Sequence, residues 1–169
     1  MFAQRFTSIE RSSRALINKS IEYAASLRDA LQVVDITPLY PVSIKPAFLD
    51  QIRRFYIDTY QDKFFTEPTT WGRGYIIMEA AYHLPLSIWA VGAILRDEPI
   101  VPVHLLVFSM QTFITTLTCL LDVWGWTDRS VEQKTTLTYM YGPYAAFAAL
   151  LGVDMFYRLK ERVTKSKKE

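Results

Sequence analysis

The sequence predicts an all-α membrane helical bundle, on three observations. Apolar stretches of membrane length recur at residues 74–95, 100–121 and 137–157. At ~1.5 Å of rise per residue, some 20 residues cross the ~30 Å hydrocarbon layer. Charge is segregated around these stretches: residues 1–73 hold 10 of the 19 Lys and Arg, residues 74–157 hold three, and the last 12 residues hold six. The ionisable groups inside the apolar stretches are few, and one of them, Glu79, lies well within the first.

The elements follow in order. Ser12 to Val34 has helical apolar spacing but carries Arg14, Lys19, Glu22, Arg28 and Asp29, too many charges for a free spanning helix. Pro38, Pro41 and Pro46 punctuate the next segment. Phe48, Ile52, Phe55, Tyr56 and Thr59 recur at helical spacing, which predicts an amphipathic helix lying on the bundle or the membrane interface. Glu67-Pro68 and Trp71 mark a turn and the start of the first span.

The first span, GYIIMEAAYHLPLSIWAVGAIL, holds Glu79 and His83 at i and i+4, about one turn apart on one face. An ionisable group at mid-membrane costs at least ~2.5–3.5 kcal/mol, so it usually faces a cavity or a partner. Arg96-Asp97-Glu98-Pro99 is a tight charged turn. The second span has no Asp, Glu, Lys or Arg. Its hydroxyls are expected to bond backbone carbonyls or a neighbouring helix, and Gln111 could serve structure or ligand. Residues 122–136 form a loop whose Trp124 and Trp126 suit an interfacial belt. In the third span Gly142 and Pro143 interrupt the pattern and predict a kink; Asp154 is expected to be structural, reaching the interface or pairing with Arg158. The tail carries six basic and two acidic residues, and the positive-inside rule sets it in the cytosol.

Several classes are excluded. No basic stripe is interleaved with stacking aromatics, so nucleic acid is not an expected partner. The single cysteine, Cys119, cannot form an internal disulfide. No metal or cofactor motif is visible. The first 30 residues contain no apolar core of secretory type.

Asp35-Ile36-Thr37-Pro38-Leu39-Tyr40-Pro41 resembles the end of the first transmembrane helix in the sigma-2 receptor family. Tyr56, Asp62, Glu67-Pro68, Trp71, Glu79 and Leu84-Pro85 follow at that family's spacing, and Tyr141-Gly142-Pro143-Tyr144 resembles its last-helix motif. Over residues 33–169 the chain is thus similar to EXPERA-domain membrane proteins, a group shared with the emopamil-binding sterol isomerases. Within it, the chain resembles a fungal branch named for efficient mitochondrial targeting. The resemblance implies a four-helix bundle of the endoplasmic reticulum. It also divides the chain into an atypical segment 1–32, an EXPERA-like domain 33–158 and a basic tail 159–169. The apolar body of the family's first helix is missing before Asp35. Two readings of residues 1–32 stand side by side: a gene-model error, and an interfacial first helix.

The resemblance further implies that Asp35, Asp62 and Glu79 converge on a buried pocket. In it Asp35 meets a ligand amine, Asp62 supports it and Glu79 partners Asp62. His83, Gln111, Tyr141 and Tyr144 complete the candidate site, the tyrosines through cation–π attraction. The expected function is non-enzymatic: binding of a sterol or hydrophobic amine, with a role in sterol homeostasis or mitochondrial precursor biogenesis. The alternative is a sterol double-bond isomerase, for which Glu79 and His83 could supply acid and base. The second span carries no carboxylate where the isomerases have them. Membrane lipid is an expected partner, and a homodimer is compatible with the family. Lys165 and Lys167 resemble a dilysine retrieval signal read by cytosolic coat proteins.

Overall fold

The structure is a computed structural model that describes residues 46–166. The expectations for residues 1–45, Asp35 among them, lie outside this range. The described residues form five helices and no strand: α1 Ala47–Tyr60, α2 Lys63–Thr66, α3 Thr70–Leu95, α4 Val101–Gly125 and α5 Val131–Ser166.

Local sequence sets most boundaries. α1 ends where Gln61 adopts a left-handed conformation (φ 51°) and its N–H bonds the Ile57 carbonyl. Asp62 caps α2, and Pro68 forbids its continuation, since the residue before a proline avoids helical geometry. The Thr69 hydroxyl caps α3 by accepting from the Gly72 N–H at 3.1 Å. Pro102 occupies the first turn of α4, where its missing donor is harmless. A reciprocal capping box opens α5: Gln133 N–H donates to the Ser130 hydroxyl at 3.2 Å, and Ser130 N–H donates to Gln133 Oε1 at 2.9 Å.

The expected spans shift at their ends. The first begins four residues earlier, at Thr70, and the second runs on to Gly125. The tryptophan loop is therefore shorter than expected, covering residues 126–130 rather than 122–136, because the capping box starts α5 at Val131. α5 is one helix of 36 residues that continues through Pro143 without a break in its helical assignment. Its apolar stretch includes the expected third span, but among the described helices only α3 and α4 are both long and apolar enough to cross a membrane. Asp154 accepts from Arg158 at 2.8 Å, as the i,i+4 spacing predicts.

Short connections make α3, α4 and α5 antiparallel neighbours. α4 and α5 pack along most of their length. Ser109 faces Gly152 at one level and Trp124 donates to the Thr138 hydroxyl at another. A Cβ on Gly152 would sit 3.0 Å from Ser109 Oγ, so a residue without a side chain is what lets these backbones approach. The turn at 96–99 is held by an Arg96–Glu98 ion pair at 2.8 Å and by the Arg162 guanidinium donating to the Pro99 carbonyl. The opposite end is tied by Lys63–Asp128 at 3.0 Å, by Arg129 Nε donating to the Gln61 carbonyl at 3.0 Å, and by Gln133 donating to Gln61 Oε1 at 2.9 Å. These contacts fix α1 and α2 to the tryptophan-loop end of the bundle.

Apolar side chains face outward as well as inward. Val107, Met110, Ile114, Leu117 and Leu121 form an outward apolar row on α4, and Leu150 and Val153 continue it on α5. Asp62, His83, Ser87, Ser109 and Thr112 are buried. The apolar windows of α3 and α4 are only 28% and 22% buried, so most of each apolar surface faces outward, as in a membrane bundle.

Candidate functional site

Asp62 is fully buried. Its Oδ1 accepts from the Phe64 N–H at 2.9 Å, which makes it the cap of α2. Its Oδ2 accepts from two hydroxyls, Tyr141 at 2.6 Å and Tyr56 at 3.0 Å. One carboxylate thus joins α1, α2 and α5. Burial pushes its pKa above the ordinary carboxylate value; the Tyr141, Phe64 and Tyr56 bonds and the Arg129 charge pull the other way. An aromatic shell surrounds it. The Phe64 ring meets Trp126 at 5.1 Å, Trp71 at 5.6 Å and Tyr141 at 6.2 Å, in edge-on geometries.

Beside this shell lies a cavity of about 480 Å³ between α1, α2 and the first half of α3 on one side and α4 and α5 on the other. Phe64, Phe65, Trp71, Tyr75, Ile76 and Tyr141 supply apolar and aromatic wall. Thr115, Thr116 and Cys119 come from α4, and Glu79 contributes the carboxylate among the described lining residues. Arg53 and Arg73 line it as well. The volume falls within the usual range of small-molecule sites.

Glu79 opens a π-helical turn, Glu79–His83, in which the Leu84 N–H bonds the Glu79 carbonyl five residues back. Pro85 lies just beyond and cannot donate to Ala81, the partner an α-helix would require, and the wider turn accommodates that loss. The pair stays one turn apart: Glu79 lines the cavity with Thr115 of α4, while His83 is fully buried against α4. There His83 Nε2 lies 3.2 Å from Gln111 Oε1 and the ring lies 4.7 Å from that of Phe108.

The candidate residues therefore separate into groups. Tyr141 joins Asp62 to the cavity, since its hydroxyl is on Asp62 and its side chain lines the space that Glu79 lines. His83 and Gln111 pair with each other away from the cavity lining. Tyr144 is 38% exposed and is not part of that lining. Lys165 falls in the last turn of α5, its side chain outside the described set; Lys167 lies beyond it. The hydroxyls of α4 largely satisfy backbone carbonyls: Ser109 on Leu106, Thr115 on Thr112 and Thr118 on Ile114. Sequence reasoning missed Arg53, Phe64, Phe65, Arg73 and Tyr75 as cavity wall. The only available sign was the Asp62 cap followed by two aromatics ahead of Pro68.

Two membrane-length helices that expose apolar side chains, with a histidine buried between them, are those of a membrane protein. Residues 48–155 match the family described as EBP: EXPERA (EXPanded EBP superfamily), and the chain belongs to that family. It is 30% identical over 114 residues, 66% of this chain, to "Efficient mitochondria targeting-associated protein 19" of Schizosaccharomyces pombe, which places the similarity in the fungal branch. The match spans 58% of that relative's length.

Proposed function

We propose that this protein binds a sterol or a hydrophobic amine within its membrane bundle, without catalysing a reaction. The observation that carries the reading is the aromatic-walled cavity of about 480 Å³ with Glu79 as its carboxylate. A carboxylate in a low-dielectric wall attracts an amine or accepts a bond from a sterol hydroxyl, and the rings offer cation–π faces. Asp62 supports the site from behind by holding Tyr141 in the wall, and Asp35 belongs to the same site by family resemblance. A proton-shuttling isomerase needs a second acid–base group at the cavity. His83 is engaged by Gln111, and Asp122, near the end of α4, accepts from the Trp126 indole at 3.1 Å. Both facts favour binding over isomerisation.

In this reading the chain is a multi-pass protein of the endoplasmic reticulum with α5 as a further span and the basic tail in the cytosol. Lys165 and Lys167 serve retrieval, and the protein acts in sterol homeostasis or mitochondrial precursor biogenesis. The test is binding of a fluorescent sterol and a radiolabelled hydrophobic amine to protein in zwitterionic nanodiscs. Glu79→Gln is expected to weaken amine binding about tenfold or more. Unchanged binding in both Glu79→Gln and Asp62→Asn refutes the carboxylate pocket. Rescue of an isomerase-deficient yeast strain refutes the non-enzymatic reading.

A further inference from the structure

The residues of α1 are sorted into three rows. At ~100° per residue, Leu49, Arg53, Tyr56 and Tyr60 fall in one sector of about 60°. They are buried or half-buried, and this row joins α1 to the bundle: Tyr56 donates to Asp62 at 3.0 Å and Arg53 to the Phe65 carbonyl at 2.9 Å. Gln51, Arg54 and Asp58 lie nearly opposite and are exposed. Between these two rows run Phe48, Ile52 and Phe55, which are 56%, 44% and 66% exposed, with Thr59 at the end of the row.

The helix therefore rests on the bundle with its polar row turned away and its apolar row on the flank. Exposed Arg54 and Asp58 require water, and three large exposed apolar side chains require lipid. Both requirements are met together at the boundary between head groups and acyl chains. The place of α1 in the fold agrees. Arg129 donating to the Gln61 carbonyl at 3.0 Å and Gln133 donating to Gln61 Oε1 at 2.9 Å tie it to the tryptophan-loop end. The outward apolar row of α4, from Val107 to Leu121, runs toward that same end. At the opposite end the described residues place the short α3–α4 turn and the end of α5, with no flanking helix.

We propose that α1 is a wedge in one leaflet and that the protein thereby recognises the curvature of that leaflet. The partner is the phospholipid monolayer itself. Where a monolayer is convex its head groups are spread, and the gaps admit Phe48, Ile52 and Phe55 among the upper acyl chains. This activity goes beyond ligand binding in the cavity and does not depend on it. With the tail in the cytosol, the orientation proposed for the chain, the wedge lies in the lumenal leaflet. The protein then favours membrane sheets over narrow tubules, whose lumenal leaflet is concave.

The test uses the full chain with a fluorescent peptide at its C-terminus, inserted into preformed zwitterionic vesicles of about 30 nm and about 200 nm diameter. The C-terminus marks the end opposite α1, because Arg162 donates to the Pro99 carbonyl beside the α3–α4 turn. A membrane-impermeant quencher thus reads the molecules with α1 inside, and the unquenched remainder has α1 in the convex outer leaflet. The ratio of α1-outside to α1-inside molecules should be about threefold higher in the small vesicles. Ile52→Ser combined with Phe55→Ser should remove this dependence on size, whereas Asp58→Asn, on the polar row, should retain it. Phe55→Ser alone, at the most exposed position, decides the point should the double variant lose its helical circular dichroism. An equal ratio in small and large vesicles overturns the inference. So does a size dependence that survives in the folded serine variants. A dimer of the parent that the serine variants dissolve, with no effect of vesicle size, gives the apolar row to a second copy and overturns it as well.

Discussion

Replacing Tyr141 by Phe isolates the bond that joins α5 to α2. The hydroxyl donates at 2.6 Å to Oδ2 of the fully buried Asp62. Phenylalanine keeps the ring and its edge-on contact with Phe64, so the packing loss is small. A hydrogen bond to a charged acceptor contributes about 1.5–3 kcal/mol, and Tyr56 and the Phe64 N–H still serve the carboxylate. A loss of about 2 kcal/mol is expected. Asp62→Ala should cost more, about 3–5 kcal/mol, because it removes the α2 cap and strands two hydroxyls. The double variant should fall short of the sum by about 1.5–3 kcal/mol, the coupling that belongs to the pair. The assay is unfolding of the reconstituted protein in mixed micelles, followed by circular dichroism and by tryptophan fluorescence, to which Trp126 beside Phe64 contributes. If Tyr141→Phe lies within about 0.5 kcal/mol of the parent, or the two changes are additive, Asp62 does not act as the junction.

The other predictions concern pH, packing and membrane contact. The Asp62 pKa is raised above 3.8 on folding, so the folded state binds more protons, and this group's stabilisation is full below 3.8 and declines as pH rises through the raised value. Asp62→Asn should flatten that part of a stability–pH curve, and an unaltered curve contradicts the assignment. Asp128 runs the opposite way: its bond from Lys63 holds its pKa down, so its contribution is lost as pH falls through the lowered value, and Asp128→Asn should remove that acid limb. Gly152→Leu should force α4 from α5 at Ser109 and cost about 1–3 kcal/mol by overpacking, measured in the same unfolding assay; no change would place the helices further apart. Phe48, Ile52 and Phe55 form an exposed stripe on α1, which is fixed at the tryptophan-loop end. A tryptophan at Ile52 should be quenched by lipids brominated near the head group; quenching only by aqueous iodide would set α1 in water.

How much of this was legible in the sequence can be argued residue by residue. Period and length alone marked the helices. The 3.6-residue spacing from Phe48 marked α1, and two charge-poor stretches longer than 20 residues marked α3 and α4. The Asp154–Arg158 pair followed from helical geometry because both partners lie on one helix. Glu79 stood out because a carboxylate within an apolar span carries its own energetic penalty. Contacts between elements were not legible in the same way. Asp62 read as a pocket residue; it is a cap and a buried junction, since its two oxygens face different helices. Glu79 and His83 read as neighbours on one face, one turn apart. Both meet α4 one turn apart, Glu79 in the cavity wall with Thr115 and His83 on Gln111, so what was not legible was where along α4 the cavity ends. The sequence by itself determined which segments are helical, which are apolar, and that a charge lies among them, because those properties repeat along the chain. Only the tertiary structure decided that Arg53, Phe64, Thr115 and Tyr141 share one cavity with Glu79. Such proximity depends on how antiparallel helices are set against each other, and residues almost 90 positions apart carry no local mark of it.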